Sequence, residues 1–331
     1  LSGSALGGAA QGAGFVETAD SVSGAQIISG VGLGSSVQHG VSLVGGILNA
    51  SGLVGDGLVN LWSTAASQTL TGIGVGLMIS SSTIAGGITN ASSGTLSGLG
   101  PVVATSSGIP QLVSGIGVGL LVTQQSTVAG DISNFGGLIV GSGSLTGLAS
   151  FAGTGVLLDR SSQLMGNLSN TGTILSSDGI AVALRGASSI TGSIINTSGG
   201  TIAGVTGIYV DAQSRILGGI SNTGLISGTI AAINNFGTIT GARDAIGMFG
   251  GTITGAIVNA GLIEGDRHGI SLSLTSVTGG VTNQGVISGV RGSGLVLGYQ
   301  ATVSGSVLNL SGGLIKGVEL RNNSTIVVQV S

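Results

Sequence analysis

Residues 207–228 read GIYVDAQSRILGGISNTGLISG. The stretch holds three short apolar runs, Ile208–Val210, Ile216–Ser221 and Leu225–Ser227, parted by Gly or Asn. In each run aliphatic residues tend to alternate with small or polar ones, the period of a strand with one buried face. The phrase recurs with variations along most of the chain. One half of it runs from a Gly and an aliphatic residue to an Asn, as in GVSLVGGILN (40–49), GIGVGLMISSSTIAGGITN (72–90), GIAVALRGASSITGSIIN (179–196) and GISLSLTSVTGGVTN (269–283). The other half follows the Asn, as in NTGTILS, NTGLISG, NFGTITG, NAGLIEG and NQGVISG.

The marker asparagines set the period. Asn170, Asn196 and Asn222 are 26 residues apart, Asn235, Asn259 and Asn283 are 24 apart, and Asn309 follows after 26. A period of 24–26 with three short strands fits one coil of a three-sided parallel β-helix. Each coil adds one strand spacing, so about thirteen coils make a rod roughly 60 Å long. Other steps do not fit. Asn222 to Asn235 is 13, Asn49 to Asn90 is 41, Asn90 to Asn134 is 44 and Asn134 to Asn170 is 36. The surplus is read as loops budding from corners, such as the Pro-containing stretch Gly98–Leu112. The alternative is a unit of about 12 residues and a flatter two-sheet solenoid. The repeat divides the chain into an irregular N-terminal arm or cap (1–39), the solenoid (40–317) and a C-terminal strand or cap (318–331).

Gly serves where the chain turns, because it takes positive φ without a Cβ penalty, and Asn is the next best residue there. Asn amides stacked in register can also bond along the axis, each donating to the next coil. This makes Asn49, Asn90, Asn134, Asn170, Asn196, Asn222, Asn235, Asn259, Asn283 and Asn309 ladder and turn residues without any ligand.

The wording GGITNASSGTLSG, GGISNTGLISG and GGVTNQGVISG resembles the passenger regions of bacterial autotransporters and related surface β-helix proteins. The resemblance covers about residues 40–315. It implies a right-handed helix, secretion across an outer membrane, and roles ranging from adhesin and self-associating factor to carrier of an enzyme. The C-terminal translocator barrel usual in that group is missing, which implies a passenger alone or another export class with the same repeat.

Composition narrows the alternatives. Gly supplies 68 of 331 residues, Pro 2, charged residues 6 % and aromatics 2 %. With 41 % hydrophobic residues the chain is poorly suited to disorder, and it lacks the Gly-X-Y register of collagen. Gly, Ser or Thr interrupts every apolar run, so no membrane-spanning segment is expected, and one Trp, two Tyr and five Phe are too few for barrel girdles. Cysteine is absent, which rules out disulfides and Cys-ligated zinc. Net charge is −3, yet all eight basic residues fall in 159–331, and residues 1–158 carry only Glu17, Asp20, Asp56 and Asp131. No basic patch tracks a phosphate backbone, so nucleic acid is not an expected partner. The nearly uncharged N-terminal half is read either as a Ser, Thr and Asn surface or as one buried in an assembly.

Few residues suggest chemistry. Arg243, Arg267, Arg291 and Lys316 recur at 24, 24 and 25 residues, so stacked coils place them in one column. Asp244, Glu264, Asp266 and Glu319 lie beside it. The column is read as a charge-balanced edge or as a contact stripe for acidic glycans or a partner subunit. Asp159 and Asp211 occupy one repeat position two periods apart with Ala183 between, a spacing of ~10 Å that resembles that of inverting glycosidases. Sugar platforms are scarce and the acids are sparse, so no catalytic residue is assigned. His39 and His268 are isolated, and no metal site or cofactor is expected. Gly-x-Gly phrases lack the helix and Lys of a phosphate loop. Asn-x-Ser/Thr triplets occur at Asn49, Asn90, Asn196 and Asn309. The expected function is that of a secreted bacterial surface protein that self-associates into fibres or a layer and supports adhesion or biofilm. The alternatives are a glycan-binding or polysaccharide-cleaving β-helix and a passive stalk.

Overall fold

Leu43, Ile84, Val128, Leu164, Ile190, Ile216, Ile239, Ile263, Ile287 and Ile315 form one aliphatic column. Each is the register partner of the next in an unbroken parallel ladder. From Ile84 to Ile287 every member is fully buried. Each fully buried side chain of this size contributes about 1.5–3 kcal/mol of transfer free energy, and stacking identical shapes leaves no void between coils. In this computed structural model, which describes residues 4–6, 10–13, 17–18, 25–56, 61–62, 67–100, 111–145, 153–250 and 252–326, the column is the inner side of a ten-stranded sheet, the narrow face.

Two further sheets complete a three-sided parallel β-helix. The third face has eleven strands, among them Ile88–Asn90, Ile194–Asn196 and His268–Ser273. The wide face has twenty, because each coil crosses it twice. Its two strand columns merge where one strand, Thr201–Val210, runs through both with a bulge between Gly204 and Thr206. At the turn between the columns the layers touch backbone to backbone. A Cβ built on Gly98 would collide with the Val118 main chain, so only Gly fits. Among the described residues one pairing is antiparallel, Ser114↔Leu145 with Gly115↔Ser144, and all others are parallel.

Eleven strands on the third face mean eleven described coils, fewer than the thirteen the period suggests. The surplus residues of the 36–44-residue coils all fall between the two columns of the wide face, for example between Thr95–Leu99 and Gln111–Thr123. Most of the Pro-containing stretch expected as a corner loop, residues 101–110, lies outside the described residues. Within 1–39, Ser4–Leu6, Ala10–Ala13 and Ala25–Val37 pair in parallel with the coil that follows. At the other end Val318–Leu320 and Thr325–Ile326 pair with the coil before them.

Simple alternation fails on part of the wide face. Gly153–Leu158 and Ile180–Leu184 are buried at every position. A second apolar cluster of Val75, Val118, Leu157, Ile180 and Ala183, joined by Leu33, Met78, Leu121 and Tyr209, covers their outer side.

The 13-residue step is a phase change. Up to Asn222 each coil runs G-I-x-V on the wide face, a two-residue strand on the narrow face, I-x-N on the third face, and x-I-x-G back on the wide face. After Leu225–Gly228 the chain goes directly into Ala231–Asn235, a second I-x-N unit, where G-I-x-V is due. From there I-x-N lies on the wide face (Ile257–Asn259, Val281–Asn283, Val307–Asn309) and the G-I-x-L strands move to the third face (Asp244–Phe249, His268–Ser273, Leu295–Gly298). The coil remains three-sided, while the sequence motif rotates by half a turn around it.

Candidate functional site

The asparagines fall into two columns. In the first, Nδ2 of Asn49, Asn90, Asn134, Asn170 and Asn196 each donates to Oδ1 of the next member at 2.7–2.8 Å, ending at Asn222. In the second, Asn235 donates to Asn259, Asn259 to Asn283 and Asn283 to Asn309 at the same distances. The remaining amide capacity goes to main-chain carbonyls of the turn, such as Gly94 and Leu138 for Asn90. The break follows from register. Asn222 faces Met248, which cannot continue the chain of amides, and Asn235 sits beside Val210. The Asn235 Oδ1 is buried without a partner, so the second ladder starts on an orphaned acceptor. Asn49, Asn90 and Asn196 are at most 1 % exposed, so these three triplets offer no glycan acceptor in the folded chain, while Asn309 is exposed.

A serine column accompanies the first ladder and was not singled out from the sequence. Ser82, Ser162 and Ser188 donate their backbone N–H groups to the Oγ of Ser126, Ser188 and Ser214, each at 3.2 Å. The signal was available, since each Ser stands two residues before the aliphatic of the two-residue strand (Ser126-Thr127-Val128, Ser188-Ser189-Ile190). Just before these serines the chain turns through left-handed residues, among them Gln124 (φ 56°), Gln125 (59°), Arg160 (53°) and Ser161 (60°). After the phase change the turn moves to the third face and is made by Leu274, Tyr299, Gln300, Asn322 and Asn323.

Asp159 and Asp211 lie two coils apart, but Arg185 stands between them where the sequence suggested Ala183. Leu158, Leu184 and Val210 are register partners, which places the next residues in one row. Ala183 instead pairs with Leu157 and Tyr209. Asp211 accepts backbone N–H groups from Gly186 (2.6 Å), Gln213 (3.1 Å) and Ser214 (2.8 Å), and Asp159 lies 3.5 Å from Arg160. Its bonds make Asp211 a turn-holding carboxylate. Asp178 spans the wide-face columns through the Gly143 N–H, and burial raises its carboxyl above the usual range despite that bond.

The basic residues divide. Arg291 pairs with Asp266 at 3.4 Å, and Lys316 Nζ donates to the Gly289 and Val290 carbonyls at 2.8 and 3.0 Å. Arg243 and Arg267 stack through a main-chain bond and line a groove on the outer side of the third face. The groove starts at Ser221, the last coil before the phase change, and crosses Gly247, Ser271 and Val296. One rim holds Arg243, Asp244, Arg267 and His268, the other Phe249, Ser273 and Tyr299, with Arg321 below. Its volume is about 530 Å³. Arg321 grips Glu319 through Nε and Nη2, both at 2.6 Å, and this fork holds the Glu319 carboxyl below its usual range. No family model, curated protein or solved structure matches this chain.

Proposed function

We propose that this chain is a structural protein of the bacterial cell surface, secreted in the manner of an autotransporter passenger, whose coils add axially to those of further copies to build fibres or a layer. One observation carries the reading. Register between coils is kept at every face although the chain between them varies from 24 to 44 residues, so each coil is a template for the next. In the last described coil Val318 and Leu320 continue the buried rows of Leu295 and Leu297, yet they are 37 % and 52 % exposed. Apolar rows and strand edges of this kind are covered by another coil of matching period. Adhesion and biofilm support follow as the use of such a polymer.

Electron microscopy and sedimentation across a concentration series test the proposal. The wild type forms end-to-end assemblies, and Val318→Lys with Leu320→Lys leaves single rods. Single rods of wild type at every concentration overturn it.

A further inference from the structure

We infer that the groove on the third face binds an anionic polysaccharide bearing carboxylates along its length, with the sugar chain lying across Gly247 and Ser271 and its acid groups on Arg267 and Arg243. The inference does not depend on polymer formation.

Charge is the first argument. Three guanidinium groups and one carboxylate, Asp244, line the groove in a chain whose net charge is −3. Arg243 has Asp244 at 3.6 Å and Arg321 has Glu319, whereas the exposed Arg267 side chain has no hydrogen bond or ion pair among the described residues. A guanidinium presents a planar fork that fits a carboxylate with two bonds.

Shape is the second. A Cβ on Gly247 would meet only the Asp244 Cβ at 3.7 Å, and one on Gly298 only the Leu272 carbonyl at 3.9 Å, so the floor is open above both glycines. At the far rim Phe249 and Tyr299 are each 62 % exposed, and in a chain with 2 % aromatics their placement beside an open floor provides apolar faces for sugar rings. His268 is 5 % exposed, and its Nδ1 accepts the Ser293 N–H at 3.2 Å. Nε2 is then the ring's donor, held rigidly at the rim.

The third argument concerns ligand class. The backbone groups of this face are engaged in the parallel sheet, so an extended peptide has no edge to join and recognition rests on side chains. Coils repeat every ~4.8 Å along the axis, which suits a polymer that presents like groups at regular intervals.

The test uses polygalacturonate, a linear polyuronate, against the intact protein by isothermal titration calorimetry, with the fully methyl-esterified polymer and poly-glutamate as controls. Polygalacturonate binds with an affinity that falls as salt rises, the ester binds at least tenfold more weakly, and poly-glutamate does not compete. Arg267→Gln weakens binding tenfold or more, and Gly247→Gln, which fills the floor without backbone strain, abolishes it while the melting temperature stays within a few degrees. No binding by the wild type overturns the inference. So does equal binding of the ester, tighter binding of poly-glutamate, or unchanged binding by either variant. Arg267 is exposed and unpaired, so Arg267→Gln remains a valid test even where Gly247→Gln lowers stability.

Discussion

Asn170 is held by its neighbours on both sides. It accepts from Asn134, donates to Asn196 and also reaches the Gly172 and Thr201 carbonyls, all within a fully buried column. Replacing it with Leu, close in volume, orphans a donor on Asn134 and an acceptor on Asn196. The expected loss is about 2–4 kcal/mol, since each buried polar group left unpaired costs about 1–3. Asn309→Leu removes one bond at an exposed ladder end, and about 1 kcal/mol is expected there. Denaturant melts of the two variants check the difference, and equal effects contradict the ladder's energetic role. Asp178 behaves differently because burial dominates its titration. A carboxyl whose folded pKa lies above the unfolded value binds more protons when folded, so stability falls as pH rises through that interval. Asp178→Asn should flatten this part of the pH–stability curve, measured between pH 3 and 7, and a slope unchanged from wild type argues against the burial effect.

At the scale of the element, the half-coil is the unit of construction. The chain uses two kinds, one from G-I-x-V to the two-residue strand and one from I-x-N to x-I-x-G, and the phase change places two of the second kind in succession. Removing residues 223–235 excises one of them. The variant should fold with all downstream motifs rotated back by half a turn, and with Asn222 stacked on Asn259. The protein has no cysteine, so the register can be read directly. Adjacent parallel strands bring Cα atoms within disulfide range. Asn222→Cys with Asn259→Cys should therefore crosslink in the shortened chain and not in the full-length one, where Asn222 pairs with Met248. Crosslinking in both contradicts the half-coil reading. The same excision separates Ser221 from Gly247, and polyuronate binding in the groove is expected to weaken with it.

Over the whole molecule, cohesion comes from stacked aliphatic rows and amide ladders, with little from charge. The four ion pairs found among the described residues are at the surface and all involve Arg. Exposed pairs contribute about 0–1 kcal/mol and are screened by salt. Raising NaCl from 0.1 to 1 M should leave the melting temperature nearly unchanged while it weakens groove binding strongly. A large fall in melting temperature would show that charge contributes more than this account allows. The outer cluster around Leu157 and Ala183 gives the uncharged N-terminal half its physical reason, because the wide face there is buried on both sides and needs no charged cover.

Local periodicity determined the solenoid. Alternating aliphatics, a Gly at each turn and an Asn every 24–26 residues were enough to read a three-sided coil and the residues of its ladders, since each coil repeats one local solution. Where a residue sits around the coil was not local information. A 13-residue step reads equally as a smaller unit or a lost strand. The choice between them depended on which buried rows could stay aligned, and packing the Ile239 row on Ile216 decided it. Arg185 between Asp159 and Asp211, the split of the asparagines into two ladders, and the meeting of Arg243, Arg267, His268 and Tyr299 around one floor all depend on that rotation. Only tertiary structure set them, because the register between coils is fixed by core volume that no single repeat contains.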